Sequence, residues 1–306
     1  MVNKLARGIL PALCTPFDDS GTSVALERVQ PLIQHLLQAG SAGFFVCGGT
    51  GEGKAMTTDE RKAMAAAAIQ VTAGQVPVII QVGATSTDNA VELARHAAEA
   101  GADAVASVAP VDAPGDLQAA VRHYAAIGAA TDLPFYVYWL AQDADRRVTA
   151  EQYLDAMAAV PNFCGVKFTD TNFYLFQQLG DLSDGRLNMI SGPDEMCVAG
   201  MVMGSDAAIG STYNIMPRLF VGMRQAFETG DIAAAMQAQV KANRVIRLLF
   251  LAGNASGGTS GAMAALKCML TWRGLPVGPP RIVGSLDAQG EQVLRSGLDA
   301  LDFDVA

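Results

Sequence analysis

Lys167 is one of six lysines in the chain, and it stands out because it lies within a short strand-like apolar run, Cys164-Gly165-Val166-Lys167-Phe168. A buried ammonium is costly, so burial favours the neutral amine. A neutral amine can attack a carbonyl carbon and form a Schiff base. The competing reading is a lysine that snorkels to a rim or pairs with Asp170. Tyr138 ends the preceding apolar run, Pro134–Trp139, where its phenol can shuttle a proton or simply pack. A glycine-rich turn, Cys47-Gly48-Gly49-Thr50-Gly51-Glu52-Gly53-Lys54-Ala55, follows a third apolar run. Such a turn can offer the N–H groups of Thr50 and Gly51 to a carboxylate or small phosphate. It also matches the start of a P-loop, but Ala55 stands where a Mg²⁺-binding hydroxyl is needed. Two polar stretches complete the set. Ser191-Gly192-Pro193-Asp194-Glu195 brings two carboxylates that can cap a helix or accept sugar hydroxyls. Ile209-Gly210-Ser211-Thr212-Tyr213-Asn214 brings hydroxyls and an amide.

Each of these stretches ends an apolar run of the kind expected for a strand buried on both faces. Eight such runs occur: Ile9–Thr15, Gly43–Cys47, Val76–Val82, Ala104–Ala109, Pro134–Trp139, Cys164–Phe168, Leu187–Ser191 and Ala207–Gly210. Helical patterns lie between them, at Val24–Gln38, Thr58–Ala73, Thr87–Ala100, Leu117–Thr131, Thr149–Val160 and Thr171–Leu179. Gly40, Gly101 and Gly180 are expected to close three of these helices. Alternating strands and helices predict an α/β fold, and eight strands predict a TIM (β/α)8 barrel rather than an open doubly wound sheet. The barrel is expected over 1–217. Residues 218–306 are expected to form a C-terminal helical extension packed on it, with helices at Ile232–Leu251, Gly261–Arg273 and Asp287–Leu301. In such a barrel all five stretches fall on the C-terminal face, where active sites are built.

Composition narrows the function classes. The chain has 306 residues, 51% of them hydrophobic and 17% charged, enough for a large core. Its net charge of −9 argues against nonspecific binding to nucleic acid or an anionic membrane. No apolar stretch is long enough to span a bilayer. The segment Met1–Ile9 has no apolar core of a signal peptide, and a cytoplasmic location is expected. Cys14, Cys47, Cys164, Cys197 and Cys268 are widely spaced and read as reduced, buried thiols. His35, His96 and His123 are equally scattered, so neither a metal site nor a Ser-His-Asp triad is expected.

Together these residues resemble the pyruvate-dependent class I aldolases of the N-acetylneuraminate lyase and dihydrodipicolinate synthase superfamily. The likeness rests on Gly48–Glu52 (GGTGE), Tyr138 and Lys167, and it extends over essentially the whole chain. Gly165–Thr171 (GVKFTDT), Gly192–Glu195 (GPDE), Gly210–Met216 (GSTYNIM) and Gly278–Arg281 (GPPR) look most like the lyases. The resemblance implies that Lys167 forms the imine with C2 of a 2-keto acid and that Tyr138 exchanges a proton with the C4 hydroxyl. It implies that Thr50 and Gly51 hold the carboxylate, and that Thr169, Gly192, Asp194, Glu195 and Ser211 contact the polyol chain. Pyruvate and N-acetylmannosamine are the implied products, with no cofactor or metal, and a homotetramer built as a dimer of dimers is the implied assembly.

The chain departs from the family pattern in four places. Gly49 replaces a hydroxyl residue, which removes one proton-relay or carboxylate contact. GGTGE also looks like 5-keto-4-deoxyglucarate dehydratases. The pocket-shaping segment after the tyrosine reads Trp139-Leu140-Ala141-Gln142, without a proline. An arginine used soon after that tyrosine by dihydrodipicolinate synthases has no counterpart, since Arg146 and Arg147 lie further on beyond Asp143 and Asp145. Pro110–Pro114 lacks the tyrosine that many members contribute to a neighbouring subunit. Another 2-keto-acid aldolase or dehydratase, or a catalytically weak homologue that binds a sugar acid or pyruvate, is the alternative to a lyase.

Overall fold

The computed structural model describes residues 4–143, 147–256 and 261–303; Asp145 and Arg146 lie outside them. The strands are β1 (Gly8–Pro11), β2 (Phe44–Val46), β3 (Val78–Gln81), β4 (Ala104–Ser107), β5 (Phe135–Leu140), β6 (Phe163–Thr169), β7 (Asn188–Ser191) and β8 (Ala207–Gly210). All pair in parallel, in the order β1-β8-β7-β6-β5-β4-β3-β2. A parallel bridge between Ala12 and Phe45, with the Leu13 N–H donating to the Phe45 carbonyl at 2.9 Å, joins the two ends of the sheet into a barrel. This is the (β/α)8 architecture expected from the eight apolar runs.

Side-chain alternation explains why those runs are apolar throughout. Leu10, Phe45, Ile79, Ala106, Tyr136, Ile190 and Ile209 form the barrel interior. Ile9, Phe44, Val46, Ile80, Val137, Val166 and Phe168 join the larger core between strands and helices. A Cβ on Gly165 would come within 2.5 Å of the Tyr136 ring, so the glycine gives that ring its room. Tyr136 in turn donates to Asn188 Oδ1 (2.8 Å), and Asn188 also binds the backbone of Ala6. The N-terminal segment thereby closes the barrel floor and leaves the opposite end as its mouth.

One helix follows each strand: α1 (Val29–Gln38), α2 (Thr58–Thr72), α3 (Thr87–Glu99), α4 (Leu117–Gly128), α5 (Ala150–Met157), α6 (Phe173–Leu182), α7 (Cys197–Val202) and α8 (Pro217–Glu228). Side-chain caps fix many of the starts, with full capping boxes at Thr57/Glu60 and Thr149/Gln152. Three further helices follow: α9 (Ile232–Ala255), α10 (Gly261–Trp272) and α11 (Ala288–Ala300). The boundary expected at 217/218 falls on the first turn of α8, which packs on β1 and α7 as well as on α9.

Two expectations need correction. The first helix starts at Val29, not Val24, because Val24 forms an antiparallel bridge with Phe17. Gly180 does not end α6; the helix continues to Leu182, and the chain turns at Asp184 and Gly185, both with positive φ. Among the described residues no helix is long and apolar enough to cross a membrane.

Candidate active site

Tyr138 and Lys167 are directly paired across β5 and β6 and point into the barrel mouth. Lys167 is 3% exposed. Its Nζ lies 3.9 Å from the centroid of the Tyr138 ring and 5.4 Å from that of Phe45, and it donates to Thr169 Oγ1 at 2.9 Å. The aromatic faces attract the ammonium while excluding water. The pairing with Asp170 does not occur: Asp170 accepts from the Trp139 indole N–H at 3.3 Å instead. Lys167 therefore meets two aromatic rings and a hydroxyl.

The glycine-rich turn stands beside this pair. It is bracketed by two non-glycine residues in the left-handed region, Cys47 (φ 60) and Glu52 (φ 53), a conformation that costs roughly 1–2 kcal/mol per residue. Gly48, Gly51 and Gly53 are sterically required, since a Cβ on each would run into Phe45, the Leu13 carbonyl or the Cys47 carbonyl. Gly49 is different. A Cβ there would meet only Tyr138 Oη, at 3.7 Å. The Thr50 hydroxyl bonds the Ser211 hydroxyl at 2.7 Å, which ties the turn after β2 to the loop after β8. Asn214 completes the lacing. It accepts from the Cys14 N–H and donates to the carbonyls of Ala12 and Ser211.

The P-loop reading fails on geometry. Gly53–Ala55 forms one 3-10 turn, Met56 is extended, and α2 begins only at Thr58. No α-helix N-terminus therefore follows Gly53 and Lys54 to receive a nucleotide phosphate.

On the other side of Lys167, Asp194 is buried above β8. Its Oδ2 accepts the Thr212 N–H (2.6 Å) and hydroxyl (2.7 Å). Burial pushes its carboxyl up to about 6, against the lowering effect of the two Thr212 bonds. Oδ1 sits where a Cβ on Gly210 would be, so only glycine fits there. Gly192 is packed in the same way against Thr169 Oγ1. A cavity of about 380 Å³ opens over these groups. Thr169, Gly192, Asp194, Glu195 and Ser211 line one wall, with Glu195 exposed at the edge. Ile246, Leu249 and Phe250 from α9 and Ala262, Met263 and Leu266 from α10 form the other.

All ten residues singled out in the sequence lie at the C-terminal ends of the strands. Lys167 contacts Tyr138 and Thr169, Thr50 bonds Ser211, Gly49 faces Tyr138 Oη, and Thr169, Gly192, Asp194, Glu195 and Ser211 line the cavity. Trp139 corrects an expectation. It points outward, stacks on Phe168 (5.4 Å, 21°) and meets Tyr153 edge-on, so it packs in the helix layer and does not itself line the cavity; Ala141 is the lining residue of that segment. Sequence reading missed the apolar wall from α9 and α10. It also missed the buried ion pair between Glu52 and Lys267 (2.6 Å). Lys267 carried a usable signal, a lone charge in the apolar run Ala264-Ala265-Leu266-Lys267-Cys268-Met269-Leu270.

Such an arrangement can hold a carbonyl compound against a desolvated amine, with a phenol alongside and a polar wall beyond. The sequence model of the dihydrodipicolinate synthetase family matches residues 5–300. The chain belongs to that family. It is 33% identical to the N-acetylneuraminate lyase of Mus musculus over 91% of this chain and 87% of that one. It is 31% identical to the N-acetylneuraminate lyase of Rhizobium meliloti over 90% and 88%. The Ruminococcus gnavus sialic acid aldolase, solved as a catalytic lysine mutant, superposes with a TM-score of 0.90 at 26% identity over 99% of this chain and 98% of that one. Family membership accounts for the barrel and for the three helices that follow it.

Proposed function

We propose that this protein is a Schiff-base aldolase that cleaves N-acetylneuraminate to N-acetylmannosamine and pyruvate. The observation that carries the reading is the buried Lys167 amine, set against the Tyr138 ring between the Thr50–Gly51 turn and the polar wall of the cavity. The names of the relatives supply the substrate; the site supplies the chemistry.

In this mechanism the neutral Lys167 amine adds to C2 of the open-chain sugar acid, and loss of water leaves a protonated imine. The Thr50 hydroxyl and the N–H groups of Thr50 and Gly51 hold the substrate carboxylate, which fixes C2 near Nζ. Tyr138 takes the proton of the C4 hydroxyl as the C3–C4 bond breaks. The bonding pair flows into the imine and gives an enamine, while C4 becomes the aldehyde of N-acetylmannosamine. Protonation at C3 and hydrolysis then release pyruvate and restore the amine. Asp194, Glu195, Thr169 and Ser211, with the Gly192 backbone, hold the hydroxylated chain, since ionised carboxylates accept several donors each. The enzyme is proposed to act in the cytoplasm as a homotetramer; the exposed apolar stripe Ile232, Met236 and Val240 on α9 supports association.

The bare Gly49 beside Tyr138 favours one second reading, a dehydratase or aldolase for a different 2-keto sugar acid. Borohydride reduction in the presence of pyruvate, followed by peptide mapping, tests both readings at once. A pyruvyl adduct on Lys167 is the expected result, and its absence on folded protein would remove the imine mechanism. Release of pyruvate from N-acetylneuraminate, compared with 5-keto-4-deoxyglucarate and keto-deoxy sugar acids, then separates the lyase from its alternatives.

A further inference from the structure

Glu52 combines three unusual properties. Its backbone is left-handed, its side chain has no exposed surface, and it directly follows Gly51 in the turn beside Tyr138. Its Oε1 pairs with Nζ of Lys267 on α10 at 2.6 Å, and Lys267 is itself 2% exposed. Oε2 accepts the backbone N–H groups of Arg281 (2.6 Å) and Ile282 (3.0 Å). Lys267 also donates to the carbonyls of Thr15 (3.2 Å) and Pro279 (3.3 Å). The Thr15 hydroxyl then donates to the Gly51 carbonyl at 2.6 Å. The pair thus grips the turn twice, through Glu52 directly and through Thr15 beneath Gly51.

Stability is a poor explanation for this arrangement. Desolvating two charges offsets most of what their attraction returns, and an apolar pair of the same volume would often serve as well. What the pair does provide is a fixed geometry. Left-handed non-glycine residues persist only where their surroundings hold them, and here the turn between two of them also carries Thr50 and Gly51. Neither Glu52 nor Lys267 lines the cavity or touches Lys167.

We propose that Glu52 and Lys267 are positioning residues: the ion pair between the turn and α10 sets the orientation of the Thr50 hydroxyl and the Gly51 N–H, and so sets the affinity for the carboxylate of the 2-keto acid. The inference rests on reading that turn as the carboxylate cradle. It makes the C-terminal helices part of the binding apparatus and not only a cover for the barrel.

The test is the pyruvate concentration that gives half-maximal borohydride-trapped adduct on Lys167, measured on the full chain. Glu52→Gln and Lys267→Met each leave a partner buried and unmatched, so the informative protein is the Glu52→Gln/Lys267→Met double variant, which carries neither charge. Its half-saturating pyruvate is expected to rise about tenfold, with the maximal adduct and the saturated turnover changing less than about threefold. A purely structural pair predicts instead that the double variant, once folded, binds pyruvate as the parent does; that result overturns the proposal. Thr15→Val cuts the same brace closer to the turn while leaving the ion pair intact, and it serves where the double variant does not fold. Half-saturation several-fold higher is expected there, and an unchanged value overturns the proposal equally. A parent protein that forms no adduct is a distinct failure, that of the aldolase reading itself.

Discussion

Lys167 and Tyr138 face each other across the β5–β6 pair, with the lysine Nζ 3.9 Å from the tyrosine ring centroid. The proposed nucleophile and the proposed proton carrier are therefore fixed by strand register and not by loops, which is the rigid placement that acid–base chemistry needs.

The two roles separate experimentally. Lys167→Ala should abolish the borohydride-trapped adduct. Tyr138→Phe keeps the ring against the amine, so the adduct should still form, more slowly. Its turnover should drop ~10²–10⁴-fold, the usual contribution of a positioned acid–base group. Steady-state kinetics and intact mass measured on the same samples distinguish the two; full turnover in Tyr138→Phe would take the phenol out of the mechanism.

Gly49 makes a different prediction from its neighbours. Gly49→Ser places a hydroxyl within reach of Tyr138 Oη without a clash, so stability should stay within about 0.5 kcal/mol. One added hydrogen bond at the phenol should raise turnover ~2–10-fold. Gly210→Ala, by contrast, drives a methyl into Asp194 Oδ1 and should cost roughly 1–3 kcal/mol while raising KM for the sugar acid. Thermal melts and kinetics of the two variants check this contrast, and a destabilised Gly49→Ser would contradict the open space seen beside it.

The barrel was legible because parallel strands buried on both faces read as continuous apolar runs, and each polar stretch after them had to lie at the mouth. Lys167 stood out as a charge inside such a run. Trp139 was misplaced although the information was present: if Tyr138 faces inward, strand alternation sends Trp139 outward. Gly180 misled because a glycine tolerated within a helix looks like a stop, and the true stop, Asp184–Gly185, lay just beyond. The contacts of Lys267 with Glu52, and of α9 and α10 with the cavity, join residues far apart in sequence, and no local pattern encodes such pairings. The carboxylates of Asp194 and Glu195 were legible as a pair. Their different burial was not, because it depends on Gly210 at the end of β8 and Thr212 in the turn after it.

The outward Trp139 carries its own consequence. It packs between Phe168 and Tyr153 and does not itself line the 380 Å³ cavity, which it meets only through the indole bond to Asp170. Trp139→Phe should lower stability by about 1–3 kcal/mol and leave relative turnover among sugar acids unchanged. Denaturation midpoints and a substrate panel test it. A changed preference would place Trp139 in substrate selection after all.

Asp194 links pH to both stability and binding. Its carboxyl titrates near 3.9 in an unfolded chain and is pushed up to about 6 by burial. Between those values the folded protein holds a proton that the unfolded chain has released. Stability from this group therefore falls as pH rises through that window, and above about 6 the full cost applies, about 3 kcal/mol. In the proposed mechanism the cost is offset on binding, where the ionised carboxylate accepts from substrate hydroxyls. Asp194→Asn should accordingly be more stable than the parent at pH 7.5, by about 1–3 kcal/mol, with the advantage shrinking toward pH 4. The same variant should bind the sugar acid about tenfold more weakly at pH 7.5, the loss of a charge-assisted bond. In the parent, KM should rise as pH falls below about 6, whereas in Asp194→Asn that rise should flatten. Urea titrations at pH 4.5 and 7.5, with KM measured from pH 5 to 8, decide the matter. An Asp194→Asn variant less stable than the parent at pH 7.5 would show that the buried carboxylate is net stabilising, and the trade of stability for binding would fall with it.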